Sequence, residues 1–162
     1  MIRELSLAAL LFSPVLATAA PAPALPSAPY LPLELATTAA QAALKACGEL
    51  GHNVSVAIVA RDGATKVLLK ADQSGPHTAS SAQGKAFTSA AMGRDTAGLA
   101  DFIASKPAND GLRDMDARMV IQAGGLPIKF GKALVAGIGV GGAPSGDIDA
   151  TCAAAGLKAV GA

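Results

Sequence analysis

The chain has no tryptophan, one tyrosine and four phenylalanines in 162 residues. Outside the first twenty residues its aromatics are Tyr30, Phe87, Phe102 and Phe130. A core of stacked rings is therefore excluded, and so is a nucleic-acid surface made of aromatic platforms. Charge is equally scarce and nearly balanced, with 13 basic against 12 acidic side chains. That leaves no electrostatic footprint for nucleic acid or an anionic membrane surface. Two cysteines and two histidines rule out a disulfide-rich scaffold, and their spacing does not match a structural zinc site.

What the chain does have is small apolar residues. It is 51% hydrophobic, and alanine and 18 glycines supply much of its bulk. A core made of such residues requires elements that approach closely, and such faces also suit tight subunit contacts. The length fits one compact domain with a sizeable buried core.

Met1 to Ala19 has the pattern of a secretory signal peptide: Arg3, the apolar run Leu5–Leu16, then Ala17-Thr18-Ala19 as an A-x-A cleavage site. The run is shorter than the roughly 20 residues of a membrane span and contains Pro14. The expected mature chain is thus periplasmic or secreted, with no stable membrane anchor after cleavage. Residues 20–32, rich in proline and alanine, are expected to be a solvated linker. The folded domain is expected over 33–162.

Apolar positions from Leu35 to Cys47 recur at helical spacing, predicting a helix over Leu33–Leu50. Val54–Val59 and Val67–Leu69 flank Asp62-Gly63 and predict a hairpin. The stretch His77–Met92 predicts a helix with the stripe Ala82, Ala86 and Ala90, entered after Gly75-Pro76. Ser80 and Gln83 have capping-box spacing, which would start regular helix near Ser81 and leave His77 just outside it. A short helix follows from Thr96, then a polar loop over Asn109–Arg118. Met119–Gln122, Leu126–Phe130 and Ala133–Val140 predict three more strands, and a last helix runs from Asp147 to Ala155, closed by Gly156. Five strands in hairpins and meanders predict an antiparallel sheet with helices against it, an α+β sandwich.

The run Gly137-Ile138-Gly139-Val140-Gly141-Gly142 satisfies G-x-G-x-x-G, but its glycines interrupt a strand and too little chain follows for a dinucleotide fold. Glycine inside a strand instead admits another backbone or a flat ligand. Cys47 and Cys152 lie in two predicted helices. They form either a disulfide or a pair of buried thiols. Of the histidines, His52 suits a surface position. His77 stands at a helix N-terminus, where the dipole disfavours a cation, and neutral imidazole is the form that ligates metal. Lys70, Lys85 and Arg94 are candidate partners for carboxylates of a ligand.

The segments SVAIVARDGATKVLLKAD, GKAFTSAAMGRDTAGLADF and VIQAGGLPIKFGKALVAGIGVGGAPSGDIDATCAAAGL, in that order, resemble the GlcG/HbpS family, the haem-degrading domain also found at the C-terminus of PduO proteins. The pieces that carry the resemblance are Lys85-Ala86-Phe87-Thr88, the turn Gly124-Gly125-x-Pro127-Ile128, and the closing glycines with the later Asp, Cys and Ala-Gly. It implies a two-layer sandwich with a five-stranded antiparallel sheet, profilin-like and PAS-like in outline, that forms homo-oligomers. It also implies a haem or related tetrapyrrole ligand, in some members a corrinoid. If the ligand is haem, the helix-mouth position makes His77 the expected iron ligand, with Met92 and His52 as weaker alternatives. Lys85 and Arg94 are expected near propionates, and Thr88, in the characteristic helix, among the cofactor-binding residues. A holder of haem, a degrader of haem and a non-enzymatic oligomeric binder of another small molecule all remain open.

Overall fold

A computed structural model describes residues 24–162; the expected signal peptide and the first part of the expected linker lie outside the described residues. Residues 24–30 are exposed and without regular structure, but Leu31, at the end of the stretch read as linker, is only 1% exposed and joins the core. Helix α1 then spans Leu33–Glu49, placing Ala36, Ala39, Ala40, Ala43 and Cys47 on its buried face. Strands β1 (Ser55–Ala60) and β2 (Thr65–Lys70) form the expected hairpin. Its turn needs Gly63, which sits at φ +84°, where a side chain would be strained.

Helix α2 (Thr78–Met92) and the short α3 (Thr96–Ala104) follow, and a 3-10 turn occupies Pro107–Asp114. Strands β3 (Gly125–Phe130) and β4 (Ala133–Gly141) form a second hairpin, and α4 (Gly146–Val160) closes the chain. The sheet is antiparallel in the order β2-β1-β4-β3. Among the described residues it has four strands, not five. Met119–Gln122 is apolar like a strand, but two of its backbone groups bond side chains instead of a ladder. The Val120 N–H donates to Thr88 Oγ1 at 2.9 Å, and the Gln122 carbonyl accepts from Thr96 Oγ1 at 2.6 Å. The segment therefore lies across α2 and α3 instead of joining the sheet.

The two-layer expectation is also corrected, because helices cover both faces. Along β1, Val56 and Ile58 point to one side and Ala57 and Val59 to the other. The first side packs with Ile138 and Val140 of β4 against α1 and α4, which Cys47 and Cys152 join through a disulfide (Cα–Cα 5.5 Å). Gly156 does not end α4. It lies inside the helix, where a Cβ would stand 2.6 Å from the Ala39 carbonyl of α1, so it is a point of close helix contact.

On the other side α2 lies almost directly on β4. A Cβ on Gly137 would come within 2.2 Å of the Ala86 carbonyl, and one on Gly139 within 2.2 Å of the Ala82 carbonyl. The strand glycines thus admit another backbone, as their spacing suggested, and the backbone is that of α2. The alanine stripe of α2 is used up inside the chain and is not free to pack a second subunit. No helix among the described residues is long and apolar enough to cross a membrane.

Candidate functional site

Helix α2 is pinned at three levels. At its mouth, buried Thr78 shares a 2.8 Å hydrogen bond with Ser55 of β1 and donates to the Gly75 carbonyl at 2.8 Å. At its middle, Lys85 is 2% exposed and ion-pairs with Asp149 of α4 at 2.8 Å, while Asp149 also accepts from the Ala143 N–H at 3.1 Å. One turn on, buried Thr88 donates to the Gly84 carbonyl and holds Val120, as described above. Gly84 makes that crossing possible, since a Cβ there would fall 2.3 Å from a methyl of Val120.

The capping box is absent. Ser80 Oγ donates to the His77 carbonyl, Gln83 reaches Thr65 of β2, and regular helix begins at Thr78. His77 is the N-cap residue itself, with helical φ and ψ and no capping bond from its side chain. Its exposed ring rests over Gly75, where a Cβ would meet Cε1 at 2.9 Å and Nδ1 at 3.1 Å.

The pinned elements leave a cleft of about 530 Å³ between α2, the β1–β2 hairpin and the crossing segment 117–120. It follows α2 from His77 to Phe87, a length of about 15 Å at the helical rise. Val59, Phe87, Val120 and Gly84 give it apolar walls; Thr65, Ser80, Ser81 and Gln83 add polar groups along one side. Its volume is that of an ordinary small-molecule site, which runs from about 300 to 1,000 Å³.

Arg118 forms the far wall. Its guanidinium stands 4.0 Å from the Phe87 ring centroid, in cation–π contact. Two hydrogen bonds tie it to Asp116, Nε to Oδ1 at 3.0 Å and Nη2 to Oδ2 at 2.7 Å. Those side-chain bonds, with the Arg118 N–H on the same carboxylate, hold Asp116 down to about 2 from 3.8, and Asp116 in turn raises Arg118.

Of the residues proposed from the sequence as ligand contacts, only His77 lines the cleft. Lys85 and Thr88 lie behind it, buried and fully engaged, so neither reaches a propionate; this corrects their reading as ligand contacts. Arg94 is beyond the far end of α2, donating to the Gly98 carbonyl at 2.8 Å with its guanidinium 5.4 Å from the Phe102 ring centroid. Met92 is fifteen residues along the helix from His77, about 22 Å away, too far for both to reach one iron within a chain. His52 precedes β1, its N–H on the Cys47 carbonyl, and Lys70 is spent on Ser74 and Gly75. Arg118 and Phe87 were not named as site residues. Arg118 sits in a stretch that looks like any polar loop, and nothing local in sequence ties it to Phe87.

These features define an α+β domain with a ligand-sized cleft along its second helix, histidine at one end and arginine at the other. Residues 31–158 match the family described as "Haem degrading protein HbpS-like". Two crystal structures of HbpS are 43% identical to this chain. One, a double mutant of the Streptomyces reticuli protein, has a TM-score of 0.80 and matches over 90% of this chain and 99% of its own. The other scores 0.81, over 90% and 100%. The PduOC:heme complex is 25% identical with a TM-score of 0.73, over 80% of this chain and 94% of its own. Among curated proteins none matches. The chain belongs to the HbpS-like haem-degrading family.

Proposed function

We infer that this is an exported haem-binding protein whose cleft along α2 takes the tetrapyrrole, with His77 on the iron. One observation carries the reading: an exposed imidazole lines an apolar cleft of ligand size, in a chain of this family. The residues suit the group. Val59, Phe87 and Val120 offer flat apolar contact, His77 one nitrogen ligand, and Arg118 a cation for an acidic edge. Bound haem would supply whatever redox chemistry follows, its own oxidative breakdown included. The chain's part is to hold His77 over Gly75, to exclude water along α2, and to orient the ring plane. Export through residues 1–19 and self-association belong to the same proposal.

Titration of the mature protein with haem tests it. The expected result is a shifted Soret band that changes in position and intensity in His77→Ala, with the thermal stability of the apo-protein unmoved because His77 is exposed. An unchanged spectrum in His77→Ala overturns the ligand assignment. Loss of the band under ascorbate or peroxide, faster than for free haem, marks a degrader; equal rates mark a holder. A second reading is supported by the polar groups in the cleft lining, the hydroxyls of Thr65, Ser80 and Ser81 and the amide of Gln83. In that reading the protein is a non-enzymatic, oligomeric binder of a non-haem molecule or a corrinoid, and it stays colourless with excess haem.

A further inference from the structure

Arg118 belongs to two cavities at once. Beyond it lies a smaller hollow of about 180 Å³, and the wall between the two consists of Gly63, Phe87 and Arg118. That wall is thin, because Gly63 carries no side chain; a Cβ there would already stand 3.2 Å from Phe87 and 3.3 Å from Arg118 Nη1. It is also open to solvent. The Arg118 side chain is 61% exposed, so an incoming carboxylate can reach the two hydrogen bonds that tie it to Asp116. Removing the guanidinium from Phe87 would uncover an aromatic face inside the cleft and leave five N–H donors in search of a carboxylate.

The geometry points to Arg118 as the residue that selects ligands bearing a carboxylate: an acidic group takes the place of Asp116, and the flat body of the ligand takes the place of the guanidinium on Phe87. This rests on the haem reading above and deepens it, since the tetrapyrrole carries its two acids on one edge. It also moves acid recognition away from Lys85 and Arg94, which the fold has committed elsewhere. Asp116 is then an internal mimic of the ligand's acid, occupying Arg118 until the ligand arrives.

The test compares binding of haem and of haem dimethyl ester, both delivered from the same dilute detergent, to wild type, Arg118→Gln and Asp116→Asn. Wild type is expected to prefer the diacid. Arg118→Gln should weaken diacid binding about tenfold and leave the diester unchanged, erasing the preference. Asp116→Asn should strengthen diacid binding several-fold, because the internal competitor loses its charge. Equal losses for diacid and diester in Arg118→Gln, or no loss for either, overturn the assignment while leaving the haem reading intact. Weaker diacid binding in Asp116→Asn overturns the exchange of partners. Wild type that binds neither compound removes the haem reading, and this inference with it. Cooperative thermal unfolding and wild-type circular dichroism confirm that both variants are folded, Asp116→Asn melting only slightly below wild type.

Discussion

On the side of the sheet that carries α1 and α4, the core is made of Val56, Ile58, Ile138 and Val140 packed on alanines, and a disulfide ties the two helices. On the opposite side, α2 rests on strand glycines, and its buried positions include Lys85, Thr88 and Ser89. The first side gains stability from apolar area and a crosslink. The second gives up side-chain bulk to bring backbones together and uses buried polar groups to fix where each turn of α2 lies. Only the second side carries the cleft. Stability and positioning are thus divided between the two faces, and each can be attacked separately.

The largest effect is expected where α2 meets β4. In Gly139→Val the new side chain would collide with the backbone of Ala82 and Ala86, which no rotamer change relieves. A loss of at least about 5 kcal/mol is expected, on the order of the stability of a whole domain, so the protein should be recovered unfolded. A folded, soluble Gly139→Val by circular dichroism would mean that α2 does not sit so close. On the other face, Cys47→Ala with Cys152→Ala opens a loop spanning a sequence separation of 105 residues. Loop entropy puts that cost at about 4–5 kcal/mol, read as a lower urea midpoint. Here haem binding to the surviving folded fraction should be unchanged, because the crosslink is on the side away from the cleft. A cleft that fails along with the disulfide would break the division between the faces.

The third effect tests the buried ion pair. Lys85→Met leaves Asp149 charged and uncompensated in the interior, at a cost of about 3–5 kcal/mol. Adding Asp149→Asn removes the stranded charge yet keeps an acceptor for the Ala143 N–H, so the double variant should recover more than half of the loss. Failure of that rescue in urea unfolding would show that Lys85 matters through its packing and not through its charge.

How far the sequence revealed this arrangement follows the same division. The β1–β2 hairpin was readable because Asp62-Gly63 and the flanking alternation are local, and α1 because its alanines recur at helical spacing. The strand glycines announced a close approach, though not that α2 was the partner. What could not be read depends on distant partners. Met119–Gln122 has strand composition, and only the hydroxyls of Thr88 and Thr96 take it off the sheet. Gly156 looks like a helix stop until α1 is seen beside it. Lys85 looks like a surface cation on a helix until Asp149 meets it from α4. His77 could be singled out because histidine at a helix mouth is a local feature; Arg118 could not, because its contact with Phe87 beside the hairpin turn joins residues far apart in sequence.

The smallest effect concerns Asp116 and supplies the contrast to the buried pair. Its carboxyl is held at about 2 in the folded protein against an ordinary 3.8, chiefly by hydrogen bonds from Arg118. A depressed folded-state value means that the ionised form favours folding. That contribution is complete above about pH 5, declines as pH falls from about 4 toward 2, and is absent below. Melting temperatures of wild type and Asp116→Asn should therefore differ by a small constant amount at neutral pH and converge in that acidic window. Added salt should shrink the difference at pH 7, since the pair is exposed, while leaving the deficit of Lys85→Met untouched. A gap that widens with acid would mean that the folded protein favours the protonated form of Asp116, and the carboxylate could not then be the partner that occupies Arg118.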